Sequence, residues 1–192
     1  AVLLHARGAV FQHHDPVGYY VYVRSLVHDG DLDFTNDLAM IPDGDPLPWG
    51  RDPVTGHPDN LYTVGLPLLV APVYILPSLV LARIGAQGTP DSRFPLFLDQ
   101  LIFSYASFLL GAVGMWLSFR FACVYFAERD CLFATIAFWL CSPLIYYFAR
   151  EPFQSHLASV FAFSLLLYIW KVPRRLSATL RAILMGGPAR CS

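Results

Sequence analysis

The chain has 192 residues, of which 56% are hydrophobic, 15% aromatic and only 14% charged. A soluble domain is roughly 25% charged, so this composition argues against an ordinary soluble domain and excludes intrinsic disorder. The net charge of −1 conceals an asymmetry: residues 1–60 carry nine acids and three arginines, and the remainder carries five acids and ten bases. Five of the six histidines also fall in the first sixty residues. Polar chemistry is therefore expected at the front, with a membrane body behind it.

The opening Ala1-Val2-Leu3 has no initiator methionine, and residues 1–12 are too short for a span or a complete signal peptide. The sequence therefore reads as a partial or processed chain. A short helix is expected over Val17–Val27. Tyr19, Tyr20, Val23, Leu26 and Val27 recur on it at helical spacing, the pattern of a helix lying on a membrane surface. Five prolines and three glycines make 41–59 an irregular loop.

Four windows lack Asp, Glu, Lys and Arg: 60–82, 100–119, 131–149 and 152–170. A crossing helix needs about 20 apolar residues, and the last three windows fit. The first contains Pro67, Pro72 and Pro77. Each interior proline removes a helix hydrogen bond, so this segment either spans as a kinked helix or lies at the interface as broken pieces. Charge favours the interface. If 60–82 does not cross, Arg120 and Arg129 share the cytoplasmic side with Lys171, Arg174, Arg175 and Arg181. The acidic front then shares the outer side with Arg150 and Glu151.

The expected architecture is an all-α integral membrane chain, part of a larger bundle. Residues 1–98 form an external acidic loop with interfacial helices at 17–27 and a Pro-interrupted 61–84. Residues 99–172 form three transmembrane helices at about 100–120, 131–149 and 155–171. Residues 173–192 form a basic cytoplasmic tail. A multi-pass location in the cell (inner) membrane is expected. Cys123, Cys131, Cys141 and Cys191 lack metal-ligand spacing and read as small apolar residues. Nothing indicates nucleic-acid binding.

Three motifs could carry chemistry. The run Asp29-Gly-Asp-Leu-Asp-Phe-Thr-Asn-Asp37 has carboxylates at i, i+2 and i+4, but no EF-hand register supplies the required Gly and Glu. It reads as a turn bonding its own backbone, a looser cation site, or a substrate-facing loop. His13-His14-Asp15-Pro16 offers a carboxylate ahead of the first helix, as a general base or simply as a helix-start signal. Arg150-Glu151-Pro152 joins two spans. It is either an interfacial anchor or an anion site, because Arg recognises phosphate bidentately.

In this order the three motifs resemble the front of a GT-C superfamily membrane glycosyltransferase, the group of the protein O-mannosyltransferases and the bacterial aminoarabinose transferases. Asp15 with Tyr19 matches the acidic start of the first external loop, and Gly30-Asp31 matches the following turn. His57-Pro58 through Leu69 matches the Pro-containing segment, and Arg150-Glu151 the second acidic turn. The resemblance covers most of 13–172. Two departures stand out: Asp15-Pro16 where many relatives have Asp-Glu, and His57 where some have Lys.

The resemblance implies a polyprenyl-phosphate sugar donor and an acceptor hydroxyl of unknown identity at the external face, with inversion at the anomeric carbon. It implies Asp15 as general base and Glu151 as the second catalytic carboxylate. Arg150, His57, Tyr19 and His14 are implied as substrate contacts, and a divalent metal ion is the one cofactor left open. The rivals are a transporter or flippase, or a non-catalytic membrane protein with a binding loop. A transporter needs ionisable groups within its spans, and the windows hold only His156, near an end.

Overall fold

A computed structural model describes residues 14–40, 50–85 and 93–171. The described chain is helical, with no strand beyond one isolated bridge between Arg51 and Pro58. It divides into two compact units. One gathers the residues up to Ser107 with the turn Arg150–Gln154, and the other gathers Phe108–Ala149 and the residues from Ser155. The expected tail 173–192, and 41–49 of the expected loop, lie outside the described residues.

In the first unit, α1 runs His14–Arg24 and continues as a π-helical turn, Ser25–Asp29. The sequence placed this helix at 17–27. It starts earlier, and Pro16 is tolerated because first-turn N–H groups have no intrahelical partner. The helix does not lie with one face down: Val17, Tyr20, Val21, Val23, Arg24 and Ser25 are all buried. Gly30 ends the turn at φ 75°, the left-handed conformation that glycine adopts freely, and its N–H reaches the Ser25 carbonyl at 2.8 Å. The short α2, Thr35–Ala39, follows.

The Pro-containing segment is corrected from broken pieces to one continuous helix, α3, Gly65–Arg83. Pro67 sits in its first turn, and Pro72 and Pro77 sit on its exposed side. There the carbonyls they free are not sealed in a packed core. Its buried residues Leu66, Pro67, Val70, Tyr74 and Ser78 form one stripe. Outside the stripe lie exposed aliphatics such as Leu68, Leu76 and Val80. The helix thus buries a tyrosine and a serine while leaving most of its aliphatic side chains outside the stripe.

The long helix α4, Arg93–Ala122, contributes to both units. By length and composition, α3 and Phe97–Ala122 of α4 could each cross a membrane. The predicted span 131–149 is broken in two, α5 (Glu128–Cys141) and α6 (Leu144–Ala149). Pro143 explains the break. A residue before proline avoids helical angles, and Ser142 is extended at φ −115°, ψ 164°. The predicted span 155–171 appears as α7, Ser155–Lys171, 17 residues long. Of the cysteines, Cys131 is buried, but Cys141 is exposed rather than packed inside.

Within the second unit, α4 meets α7 at two glycines. A Cβ on Gly114 would come within 2.7 Å of the Phe161 backbone, and one on Gly111 within 2.9 Å of the Phe148 ring. Backbone cannot swing aside as a side chain can. Gly114→Ala is therefore expected to destabilise the protein by about 1–3 kcal/mol, and Val113→Ala on the exposed side to stay within about 0.5 kcal/mol. Thermal unfolding in detergent measures both.

Candidate functional site

Asp15 lies in the first turn of α1, where a carboxylate suits the helix dipole. It is exposed, and its Oδ1 accepts the Tyr62 hydroxyl at 2.5 Å. The Tyr62 ring lies on Gly18, where a Cβ would come within 2.0 Å of it, and stands edge-on to Tyr19 at 5.1 Å between centroids. Asn60 Nδ2 donates to the Gly18 carbonyl at 2.8 Å, and the Tyr22 hydroxyl to the Tyr62 carbonyl at 3.1 Å. The stretch before α3 is thus clamped on the start of α1. Burial, reinforced by the bond to Asp15, pushes the Tyr62 phenol up to about 12. Tyr62 therefore stays a donor at neutral pH.

The remaining predicted residues fall into separate groups. His57 stands on an exposed turn built by Asp52, whose Oδ1 accepts the N–H groups of Val54 and Thr55. Its Nδ1 pairs with Asp33 Oδ2 at 3.0 Å. His57 therefore joins the acidic run and does not join Tyr62 on Asp15. His14 opens α1. Arg150 is exposed and Glu151 half-buried, on a turn that buries Phe153 and Gln154. That turn groups with the unit containing Asp15 and not with the helices flanking it in sequence.

The acidic run is the self-bonded turn that the sequence allowed. Asp31 Oδ1 accepts Ser25 Oγ and the Asp33 N–H, Asp33 Oδ1 accepts the N–H and hydroxyl of Thr35, and Asp29 Oδ2 accepts Asn36 Nδ2. The Thr35 bonds hold Asp33 below the usual carboxylate range. Among the described residues no three of His, Cys, Asp and Glu are grouped as metal ligands. Asp29, Asp31 and Asp33 each direct an oxygen at protein donors, as a self-bonded turn does.

A polar centre with several hydroxyl partners lies outside the residues singled out in the sequence. Asp99 lies inside α4, 8% exposed, and receives three hydroxyls. Tyr20 and Tyr74 donate to Oδ2 at 2.5 and 2.6 Å, and Ser78 donates to Oδ1 at 2.5 Å. Ser78 Oγ also lies 2.7 Å from His28 Nε2. One carboxylate thereby ties α1, the π-turn, α3 and α4. A signal was present: Asp99-Gln100 borders the window 100–119, and Tyr74 and Ser78 sit four apart, on one helix face. A search for charge-free windows cuts the sequence at the very residue that matters.

Beside this centre, the Arg24 guanidinium bonds Asp37 Oδ1, both side chains being nearly fully buried. Oδ2 of Asp37 is buried without a hydrogen-bond partner among the described residues. Burial outweighs Arg24 and pushes the Asp37 carboxyl up to about 6. Burial also lowers the His28 imidazole from its ordinary value. No protein-family profile, curated protein or solved structure matches the chain. The class established is an all-helical protein with two helices long and apolar enough to cross a membrane.

Removing one partner of a buried ion pair strands the other. Arg24→Met is expected to cost about 3–5 kcal/mol, and Arg24→Met with Asp37→Leu much less; denaturant titration of both checks this. The two shifted groups act oppositely with pH. Asp37 holds its proton more tightly folded than unfolded, so its contribution to stability falls as pH rises from 3.8 to about 6. His28 holds its proton less tightly folded, so its contribution falls as pH drops below 6.5. Unfolding midpoints across this range should steepen in Asp37→Asn and flatten in His28→Gln.

Proposed function

We propose that this chain is the front of a membrane glycosyltransferase that moves a sugar from a polyprenyl-phosphate donor to an acceptor hydroxyl at the external membrane face. The observation that carries the reading is the contact at Asp15. An exposed carboxylate at a helix start already accepts a hydroxyl, that of Tyr62. An acceptor hydroxyl would make the same contact before losing its proton to Asp15 during attack on the anomeric carbon. A well-placed general base contributes about 10²–10⁴-fold.

The grouping of segments supports a common face for Asp15 and Glu151. The chain leaves the first unit at Ser107, returns for Arg150–Gln154 and leaves again at Ser155. In our reading α4 crosses outside to inside, α5 and α6 return as a kinked crossing, and α7 crosses again. Arg120 and Arg129 then lie with the basic tail on the cytoplasmic side. We place α3 along the outer interface, although its length would allow it to cross. Asp15 meets Tyr62 just before α3, and His28 meets Ser78 four turns along it. α1 thus flanks the buried stripe of α3, leaving the aliphatic remainder for lipid.

In this scheme Arg150 steadies the departing phosphate and Glu151 orients the acceptor. His57 pairs with Asp33, and the scheme gives it no role. The chemistry proposed for the side chains requires no metal. Asp15→Asn in the full-length protein, reconstituted with polyprenyl-phosphate sugars, is expected to lower kcat by about 10²-fold or more while leaving KM for the donor nearly unchanged. Arg150→Lys is expected to raise that KM, since Lys loses bidentate geometry. Full activity in Asp15→Asn would overturn the reading.

A second reading has one specific observation in its favour. A carrier requires an ionisable group within a membrane helix, and Asp99, buried in α4, is one. Substrate uptake into sealed vesicles without glycosyl transfer would favour it.

A further inference from the structure

Asp99 is a carboxylate buried between three helices, reached from the surface by one continuous hydrogen-bonded line. Its two oxygens are unequal. Oδ2 accepts both tyrosines, and Oδ1 accepts Ser78. A serine hydroxyl has one proton. In the tautomer with a hydrogen on Nε2, His28 donates to Ser78, which in turn gives its proton to Oδ1; the Ser78 hydroxyl also borders Tyr74. The order His28 Nε2–H, Ser78 Oγ–H, Asp99 Oδ1 is a donor chain pointing inward. His28 is half-buried and borders exposed Asp29 and Gly30, so the line begins near water.

We propose that Asp99 is a proton-exchange site, loaded from the aqueous side through His28 and Ser78. A proton from water binds Nδ1 of His28. The Nε2 proton passes to Ser78 Oγ as the Ser78 proton passes to Asp99 Oδ1. Charge and atoms balance: one proton enters, His28 ends neutral as the other tautomer, Ser78 remains a hydroxyl, and Asp99 becomes a carboxylic acid. The hydrogen bonds along the line are reversed.

The tyrosines hold Oδ2 as an acceptor in both states. Burial raises the Tyr20 phenol well above its ordinary value, so it does not compete as a proton source. The other groups facing the line are Arg24 of α1, paired with Asp37 of α2, Asp29 of the π-turn, and Tyr74 of α3. Arg24 opposes a positive His28, whereas Asp29 and Asp99 favour it. These opposing neighbours suit a transient carrier of charge. The site is independent of Asp15 chemistry and is expected under either activity proposed above.

Infrared difference spectroscopy of the full chain in lipid nanodiscs tests this directly. Acidification should produce a protonated-carboxyl band that is absent from Asp99→Asn, a variant that keeps an acceptor for the tyrosines. On transfer to D₂O the band should shift at least about tenfold more slowly in His28→Gln and Ser78→Ala, as expected when a proton-transfer group is removed. Ser78→Thr, which keeps the hydroxyl, should restore the rate. Gln preserves a donor toward Ser78 but cannot relay, so slowed exchange in a folded His28→Gln protein separates relay from structure. A band that survives Asp99→Asn, no band on acidification, or unchanged exchange in His28→Gln would each overturn the proposal.

Discussion

The Asp99 carboxylate is the constraint on which the front of the molecule depends. Leaving a charge buried without partners costs far more than a typical hydrogen bond returns. Asp99 can remain in α4 only because Tyr20, Tyr74 and Ser78 each direct a hydroxyl at it. That demand fixes the rotation of α1 and α3 about their own axes. It also explains why the buried stripe of α3 carries Tyr74 and Ser78 while Leu68, Leu76 and Val80 face outward. A polar interior with an aliphatic exterior suits a helix that is long and apolar enough to cross a membrane, where lipid would leave no other partner for a polar group.

The same constraint organises the polar surface. With α1 held against α3, its first turn meets the stretch before α3, and Tyr62 seats on the bare backbone of Gly18. Asp15 thereby acquires a fixed position and a hydroxyl partner. At the other end, Gly30 turns the chain back so that Asp37 reaches Arg24. Position and partner are what a general base requires, and they follow from packing.

Some of this was legible in the sequence. Charge-free windows found α4 and α7, because each contains an uninterrupted apolar run. The same windows joined α5 to α6, since they count charges and ignore proline, although Ser142-Pro143 marks the break in plain text. Pro72 and Pro77 left a kinked helix or broken pieces open, with charge favouring the pieces, and α3 runs through both because they fall on its exposed side. The turn at Asp29–Asp37 was readable from local chemistry. The Arg24–Asp37 pair was not, because it depends on where the chain travels after Gly30. Asp99 was hidden by position, at the border of a window. Around the expected site residues, the hydroxyl partner of Asp15, Tyr62, and the Asp33 partner of His57 were not legible, because both depend on how distant segments pack.

The claim most open to contradiction is that the front and the Arg150–Gln154 turn face the same side of a membrane. The direct measurement replaces Asp15 and Glu151 by cysteine, singly and together, in the full-length protein with its native cysteines changed to alanine. A membrane-impermeant maleimide then reads sidedness, and a bifunctional maleimide reads proximity. The account predicts labelling of both positions from one side of sealed vesicles, and cross-linking by a reagent spanning about 10 Å, the room a sugar and its phosphate need between groups in near-contact with them. Labelling from opposite sides would contradict it, and with it the shared site that the proposed activity requires.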